Sequence, residues 1–346
     1  MTTAPRNSAY ELMRLVAQWF IVAYHVFLFY FVLNNDNPEP NFKAIWIPLH
    51  IGVPLFVMLS GFFKIKLSIR GFLRIIANLF VYGLVFSLVY LIITGGNIGW
   101  KNFCFVSNTG SWFVRTYLIL YVLSPIINRF ISNSTDKVRL LVLGILGYIA
   151  LWIGWNNFDQ TMHEGYDILN FVFLYLLGNT LSEYHKQLVK IPLWLILSFW
   201  LLFNAAFMIA FCNGGIFRDS FFNIVFPYNS PGIVMNAVLF FMLFMRLSFQ
   251  SKVINYLATS SLAIYLIHSS NLVFRTLIKD GSLWIREHVK YFGGQISMVF
   301  VYSLVVIVVC IAIDKVLTPI WKMVNNVADK LSDTQLGRVI EEYSYR

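Results

Sequence analysis

Residues 15–33 read LVAQWFIVAYHVFLFYFVL, nineteen positions without an aspartate, glutamate, lysine or arginine. A helix of this length and apolarity matches the hydrocarbon thickness of a bilayer, so the chain opens with a predicted membrane span. Arg14 stands just before it and His25 lies inside it. An imidazole in hydrocarbon is costly, which makes His25 a candidate functional residue by default. Eleven residues separate the two, about three helical turns, so they share one face of the helix. At about 1.5 Å of rise per residue, the guanidinium end of that face sits roughly 16 Å below the imidazole.

The rest of the chain has the same character. It is 58% hydrophobic and 12% charged, with a mean hydropathy of +0.69, whereas a soluble domain is about half apolar and about a quarter charged. The expected fold is therefore all-α, a polytopic membrane helix bundle. Apolar windows of about 20 residues predict ten transmembrane helices at 13–33, 45–63, 72–94, 112–131, 138–155, 166–183, 191–211, 232–248, 256–274 and 292–317. The transmembrane domain is expected over 1–325 and a short, mixed-charge cytoplasmic tail over 326–346. The first span is too long for a signal-peptide core and lacks a small-residue cleavage site, so it is expected to remain as a helix.

Net charge is +10, but its distribution speaks for topology and against nucleic acid. With the N-terminus inside, eighteen of the 26 lysines and arginines fall on the inner side. That is the positive-inside bias, and it places both termini in the cytoplasm. Cys104 and Cys212 both fall in loops expected outside, where a disulfide between them is one expectation; Cys310 reads as packing. The cysteines form no metal pattern, and no metal is expected.

Among the histidines, His25 and His268 lie at similar depth in helices running the same way, and His50 enters the second span from outside. Ser261, Tyr265 and His268 share one helix face by their i, i+4, i+7 spacing. Polar groups there either line a site or join helices by hydrogen bonds. Arg70 and Arg74 present two guanidinium forks one turn apart at the inner surface. Such forks suit phosphate, but since all the inner loops are basic, the positive-inside bias and attraction to anionic lipid are the favoured reading of these two residues by themselves. Arg115 lies one turn into the fourth span near the outer face, with snorkelling as the plain alternative. Carboxylates are missing from mid-span positions, which weighs against a proton-coupled transporter.

Five segments, in order, resemble the membrane acyltransferase family 3, the integral-membrane O-acyltransferases of bacterial glycans. They are Arg14…His25; Val53-Pro54-Leu55-Phe56…Ser60-Gly61-Phe62; Arg70…Arg74-Ile75; Trp112-Phe113…Tyr121…Pro125; and Ser261…Tyr265-Leu266-Ile267-His268. Many members carry an acidic residue before the Arg-containing helix, a place taken here by Glu11, whereas Arg115 matches no motif of the family. The chain resembles the stand-alone type without an SGNH domain.

The resemblance implies a multi-pass protein of the bacterial cytoplasmic membrane that moves an acyl group, most often acetyl, from cytoplasmic acyl-CoA to a glycan or lipid-linked glycan. It implies catalytic roles for His25, Arg14, His268 and Tyr265, with His25 as general base or as transient acyl carrier. Arg14, Arg70, Arg74 and Ser60 would hold acetyl-CoA. Trp112, Tyr117, Tyr121 and Ser261 on the five segments, together with His50 and Arg115 by their position towards the outer face, are expected to line the acceptor site, the role of Arg115 being open. Other expected partners are membrane lipids, a second copy of the chain, or glycan-assembly proteins. The competing classes are a transporter or flippase of a glycan precursor, and a membrane scaffold for glycan assembly.

Overall fold

The structure, a computed structural model, describes residues 7–29, 43–95, 112–156, 163–213, 226–270 and 272–345. Among these the chain is helical, with no strand. The principal helices are α1 (Ser8–Phe27), the short α2 (Trp46–Leu49), α3 (Gly52–Phe62), α4 (Ile69–Thr94), α5 (Trp112–Asn133), α6 (Asp136–Tyr148), α7 (Ile168–Glu183), α8 (Leu193–Asn213) and α9 (Pro231–Met245). They continue as α10 (Lys252–Ala258), α11 (Ser261–Ser270), α12 (Leu272–His288), α13 (Phe292–Val316), α14 (Thr318–Ser332) and α15 (Gln335–Tyr345). Among the described residues each predicted span overlaps helix, but 45–63 and 256–274 are each divided among shorter helices, and residues 30–33 of the first span lie outside the described set. Among the described residues, four helices (α4, α5, α8 and α13) are long and apolar enough to cross a membrane. Residues of α11 and α12 add a fifth if taken as one span bent by 75°. The chain is thus a membrane-spanning helical protein.

Side-chain caps mark the helix starts. Asn7 accepts from the main-chain nitrogen of Ala9 at α1, Ser68 from Gly71 at α4, Asp167 from Leu169 and Asn170 at α7, and Ser230 from Ile233 ahead of Pro231 at α9. Each satisfies donors that the first turn of a helix leaves unpaired.

Helix α1 is the central post. It packs against α3, α9, α10, α11 and α13, and Met13, Ala17, Val22, Ala23, Val26 and Phe27 on it are fully enclosed. Its indole at Trp19 donates to Ser303 Oγ of α13 at 2.8 Å. The Ser282 hydroxyl of α12 lies 3.3 Å from the Val26 carbonyl oxygen near its upper end. Beside it, α3 and α7 cross through a pair of glycines. A Cβ on Gly61 would stand 1.9 Å from the Tyr175 carbonyl oxygen, and one on Gly178 would stand 2.0 Å from that of Met58. Small residues let backbones approach this closely where lipid offers no hydrophobic drive for association. The glycine of the Ser60-Gly61-Phe62 segment is therefore a packing residue, which leaves its neighbour Ser60 for the interior.

Polar groups within the bundle are paired across helices. Asn204 of α8 and Asn236 of α9 exchange two amide hydrogen bonds, 3.0 and 2.9 Å, and both are buried. Asp314 of α13 accepts from Tyr82 of α4 at 2.6 Å, from Ser260 at 2.6 Å and from the Trp321 indole of α14 at 3.0 Å. The expected tail over 326–346 begins inside α14, which ends at Ser332, and is helical again from Gln335 as α15, which packs on α4 and α5. The expected pairing of Cys104 with Cys212 involves a residue outside the described set; Cys310 is buried in the core as packing.

Candidate active site

The histidines of α1 and α11 meet. His25 Nδ1 lies 2.9 Å from His268 Nε2, and His268 Nδ1 lies 2.5 Å from the main-chain oxygen of Ile264 one turn earlier. A carbonyl oxygen can only accept, so Nδ1 of His268 carries a proton. In a neutral imidazole the other nitrogen is then an acceptor. His268 Nε2 thus accepts from His25 Nδ1–H, and with both rings neutral the proton-free nitrogen of the chain is His25 Nε2. A hydrogen bond on one ring nitrogen fixes which form the other takes. His268 is fully enclosed, at 0% exposure, while His25 keeps partial access. The arrangement delivers one oriented imidazole lone pair.

Below the histidines lies a cavity of about 360 Å³, within the range of small-molecule sites. Helix α1 contributes Arg14 and Gln18; α3 contributes Phe56, Leu59 and Ser60; α5 contributes Phe113, Val114, Tyr117 and Tyr121; and α11 contributes Ser261, Leu262 and Tyr265. Gly71 and Ile75 of α4 and the turn at Ala258 and Thr259 complete it. Its lining reaches up to Phe113 and Tyr265, whose rings are 5.4 Å apart, and the Tyr265 ring is 6.1 Å from that of His268. Neither histidine lines the cavity; Tyr265, which does, connects it to the pair.

At the lower end Arg14 is held by Glu11. Their ion pair is 2.8 Å long, with Glu11 buried and the Arg14 side chain 29% exposed. Ser60 Oγ donates to the Phe56 carbonyl at 3.0 Å, which leaves the Tyr117 hydroxyl, 3.1 Å away, to donate to Ser60. Tyr121 donates to the Lys66 carbonyl and receives the Ser68 main-chain N–H, at 3.2 and 3.1 Å, so it pins the loop between α3 and α4. A Cβ on Gly71 would come within 2.1 Å of that hydroxyl.

Six of the sequence-predicted residues line the cavity: Arg14, Ser60, Tyr117, Tyr121, Ser261 and Tyr265. His50 belongs to a different cluster, an aromatic group above the pair. Its ring stacks on Tyr228 at 4.5 Å and meets Tyr24 edge-on at 4.8 Å. Trp112 joins that group through Tyr166 at 4.3 Å and Tyr228 at 5.6 Å, and Arg115 sits half-buried one turn further along α5. Arg70 and Arg74 are exposed and do not line the cavity; Arg70 forms an ion pair with Asp329 of α14.

Two cavity-side residues escape the sequence reading. Glu11 figures there only as an acidic neighbour. Gln18 carries no charge, but its position is informative: it is four residues after Arg14 and seven before His25, on the same helix face. Among the described residues no group of histidine, cysteine or carboxylate side chains has the geometry to hold a metal ion.

Comparison with known families gives one finding. The family model described as acyltransferase domain, of the acyltransferase 3 type, matches residues 7–315. Neither a search of curated proteins nor one of solved structures gives a match. The matched region contains the whole cavity, the histidine pair and the aromatic group above them. The chain belongs to the membrane acyltransferase family 3.

Proposed function

We propose that this acyltransferase moves an acyl group, acetyl by preference, from acyl-CoA on the cytoplasmic side to a hydroxyl of an extracytoplasmic or lipid-linked glycan. The observation that carries the reading is the hydrogen-bond chain from the Ile264 carbonyl through His268 to His25, next to a cavity lined by Tyr265 and Arg14. In this reading the ten helical segments lie in a bacterial cytoplasmic membrane with both termini inside, as the distribution of basic residues favours. Coenzyme A phosphates meet Arg14 at the inner face through charge-assisted bonds. The pantetheine arm occupies the cavity and brings the thioester toward the histidines.

His25 Nε2 then takes the proton of the glycan hydroxyl as its oxygen attacks the thioester carbonyl carbon. The carbon–sulfur bond breaks, the imidazolium returns the proton to the departing thiolate, and an ester and free coenzyme A result. His268 keeps Nδ1 of His25 protonated and stabilises the imidazolium that forms. Tyr265, whose ring lies 6.1 Å from that of His268, is the candidate to stabilise the developing oxyanion. The ring group of Trp112, Tyr166 and Tyr228 offers faces on which a sugar can stack at the upper end.

The test is transfer of label from radioactive acetyl-CoA to glycan by the purified protein. The wild type should transfer and His25→Ala should not, with both proteins equally folded. Transfer at the wild-type rate by His25→Ala would remove the general-base role. Transport of a glycan precursor with acetyl-CoA left intact would replace the reading altogether.

A further inference from the structure

Gln18 occupies the middle of the α1 face that carries Arg14 and His25. It is 3% exposed and lines the cavity. Its Nε2 donates to the main-chain oxygen of Ser261 at 2.8 Å. Because that oxygen only accepts, the nitrogen of the carboxamide must face it, and Oε1 is fixed as the opposite atom. Oε1 is buried and has no hydrogen-bond partner. A buried acceptor left unsatisfied costs stability, so on a residue that lines a cavity it is a candidate to take a donor from a bound ligand.

We propose that Gln18 Oε1 accepts the N–H of the pantoyl–β-alanyl amide of the acyl donor, making Gln18 a specificity-determining residue for the pantetheine arm. The inference rests on the acyl-CoA reading above. Three features of the site select this group. Apart from Arg14 and Gln18 itself, the side chains lining the cavity are apolar or hydroxyl-bearing, Leu59, Leu262 and Phe56 among them, which suits a chain of methylenes interrupted by amides. The Ser261 contact orients the acceptor before any ligand arrives. The spacing also fits. Gln18 lies seven residues before His25, about 10 Å along the helix axis. In an extended acyl-CoA the pantoyl–β-alanyl amide nitrogen lies eight bonds from the thioester carbonyl carbon, which is also about 10 Å at ordinary bond lengths. With that amide at Gln18, the thioester stands level with His25.

The test compares two donors on the full chain in lipid nanodiscs: acetyl-CoA, and an analogue in which an ester oxygen replaces the pantoyl–β-alanyl N–H. Wild-type protein should bind the amide about ten- to a hundredfold more tightly, the range expected when a buried acceptor loses its donor. Gln18→Met, which keeps the volume and removes the acceptor, should bind both donors alike. Because each protein is compared with itself, loss of the Ser261 contact cancels. Gln18→Asn, with its oxygen withdrawn by one methylene, gives the same comparison if Gln18→Met does not fold. An amide preference that persists undiminished in these variants overturns the inference. So does a Gln18→Met defect confined to the KM of the glycan acceptor, which would assign Oε1 to a sugar hydroxyl. Failure of the wild type to bind acetyl-CoA at all overturns the donor reading itself, a different result from either.

Discussion

His25 and His268, 243 residues apart in the chain, are joined at 2.9 Å by Nδ1 of the first and Nε2 of the second. The anchor of this pair is a main-chain carbonyl one turn before His268, an atom that substitution cannot remove. The direction of every proton in the chain follows from that anchor. His268 is accordingly a positioning residue, and His25 presents the basic nitrogen.

His268→Ala should therefore lower kcat by about 10² to 10⁴, the usual worth of a correctly held acid–base group, and leave the KM for acetyl-CoA nearly unchanged. His268→Gln, whose side-chain oxygen can accept from His25 Nδ1, should recover part of the rate. Steady-state kinetics of the three proteins decide the matter. A purely structural role would instead lower kcat and thermal stability together in both variants, with no recovery in His268→Gln.

The Glu11–Arg14 pair leads to a second expectation. Hydrogen bonds to charged groups contribute about 1.5–3 kcal/mol, so Arg14→Ala should raise the KM for acetyl-CoA about ten- to a hundredfold. Arg14→Lys should recover little, because a compact ammonium lacks the planar fork. Glu11→Gln should raise the same KM less, since it loosens the guanidinium without removing it. Equal KM values for wild type and Arg14→Ala would exclude a donor contact at this end.

The crossing of α3 and α7 separates packing from chemistry. Gly61→Ala or Gly178→Ala places a methyl 1.9 or 2.0 Å from a backbone carbonyl oxygen, where no side chain can yield. Each should cost about 3 kcal/mol or more, at or beyond the upper end for overpacking. Gly144→Ala, which meets nothing within 4 Å, should be neutral or slightly stabilising because it reduces unfolded-chain entropy. Thermal unfolding in detergent distinguishes them. A Gly61→Ala protein as stable as wild type would show that the two helices do not approach this closely.

Helical periodicity was enough to place Arg14 and His25 on one face and to put Ser261, Tyr265 and His268 on another, and those two faces do meet. Depth along parallel helices also put the two histidines at one level. Contact between them depends on how α1 and α11 rotate against each other, which no local pattern encodes. Arg70 illustrates the opposite limit. Its spacing to Arg74 suggested a phosphate clamp, but its fork pairs with Asp329 of a helix 259 residues later. Gln18 went unread because a neutral amide on an apolar helix carries no charge signal; only the unsatisfied oxygen in three dimensions distinguishes it. Asp314, to the sequence a charge near a cytoplasmic end, is buried with donors drawn from residues 82, 260 and 321.

That carboxylate carries the last expectation. Asp314→Ala would strand the Tyr82 hydroxyl, the Ser260 hydroxyl and the Trp321 indole, all buried at the junction of α4, α11, α13 and α14. Each buried donor left without an acceptor costs about 1–3 kcal/mol, so the total should reach about 3 kcal/mol or more and lower the unfolding temperature markedly. Asp314→Asn keeps one acceptor oxygen and should cost less. Its functional effect should be visible separately. Ser260 precedes Ser261, whose main-chain oxygen holds Gln18 at 2.8 Å, so a loosened Ser260 shifts the wall of the cavity. Asp314→Asn should consequently raise the KM for acetyl-CoA several-fold at temperatures where the protein is fully folded. If its unfolding temperature falls while that KM stays at the wild-type value, the junction stabilises the fold without shaping the donor site.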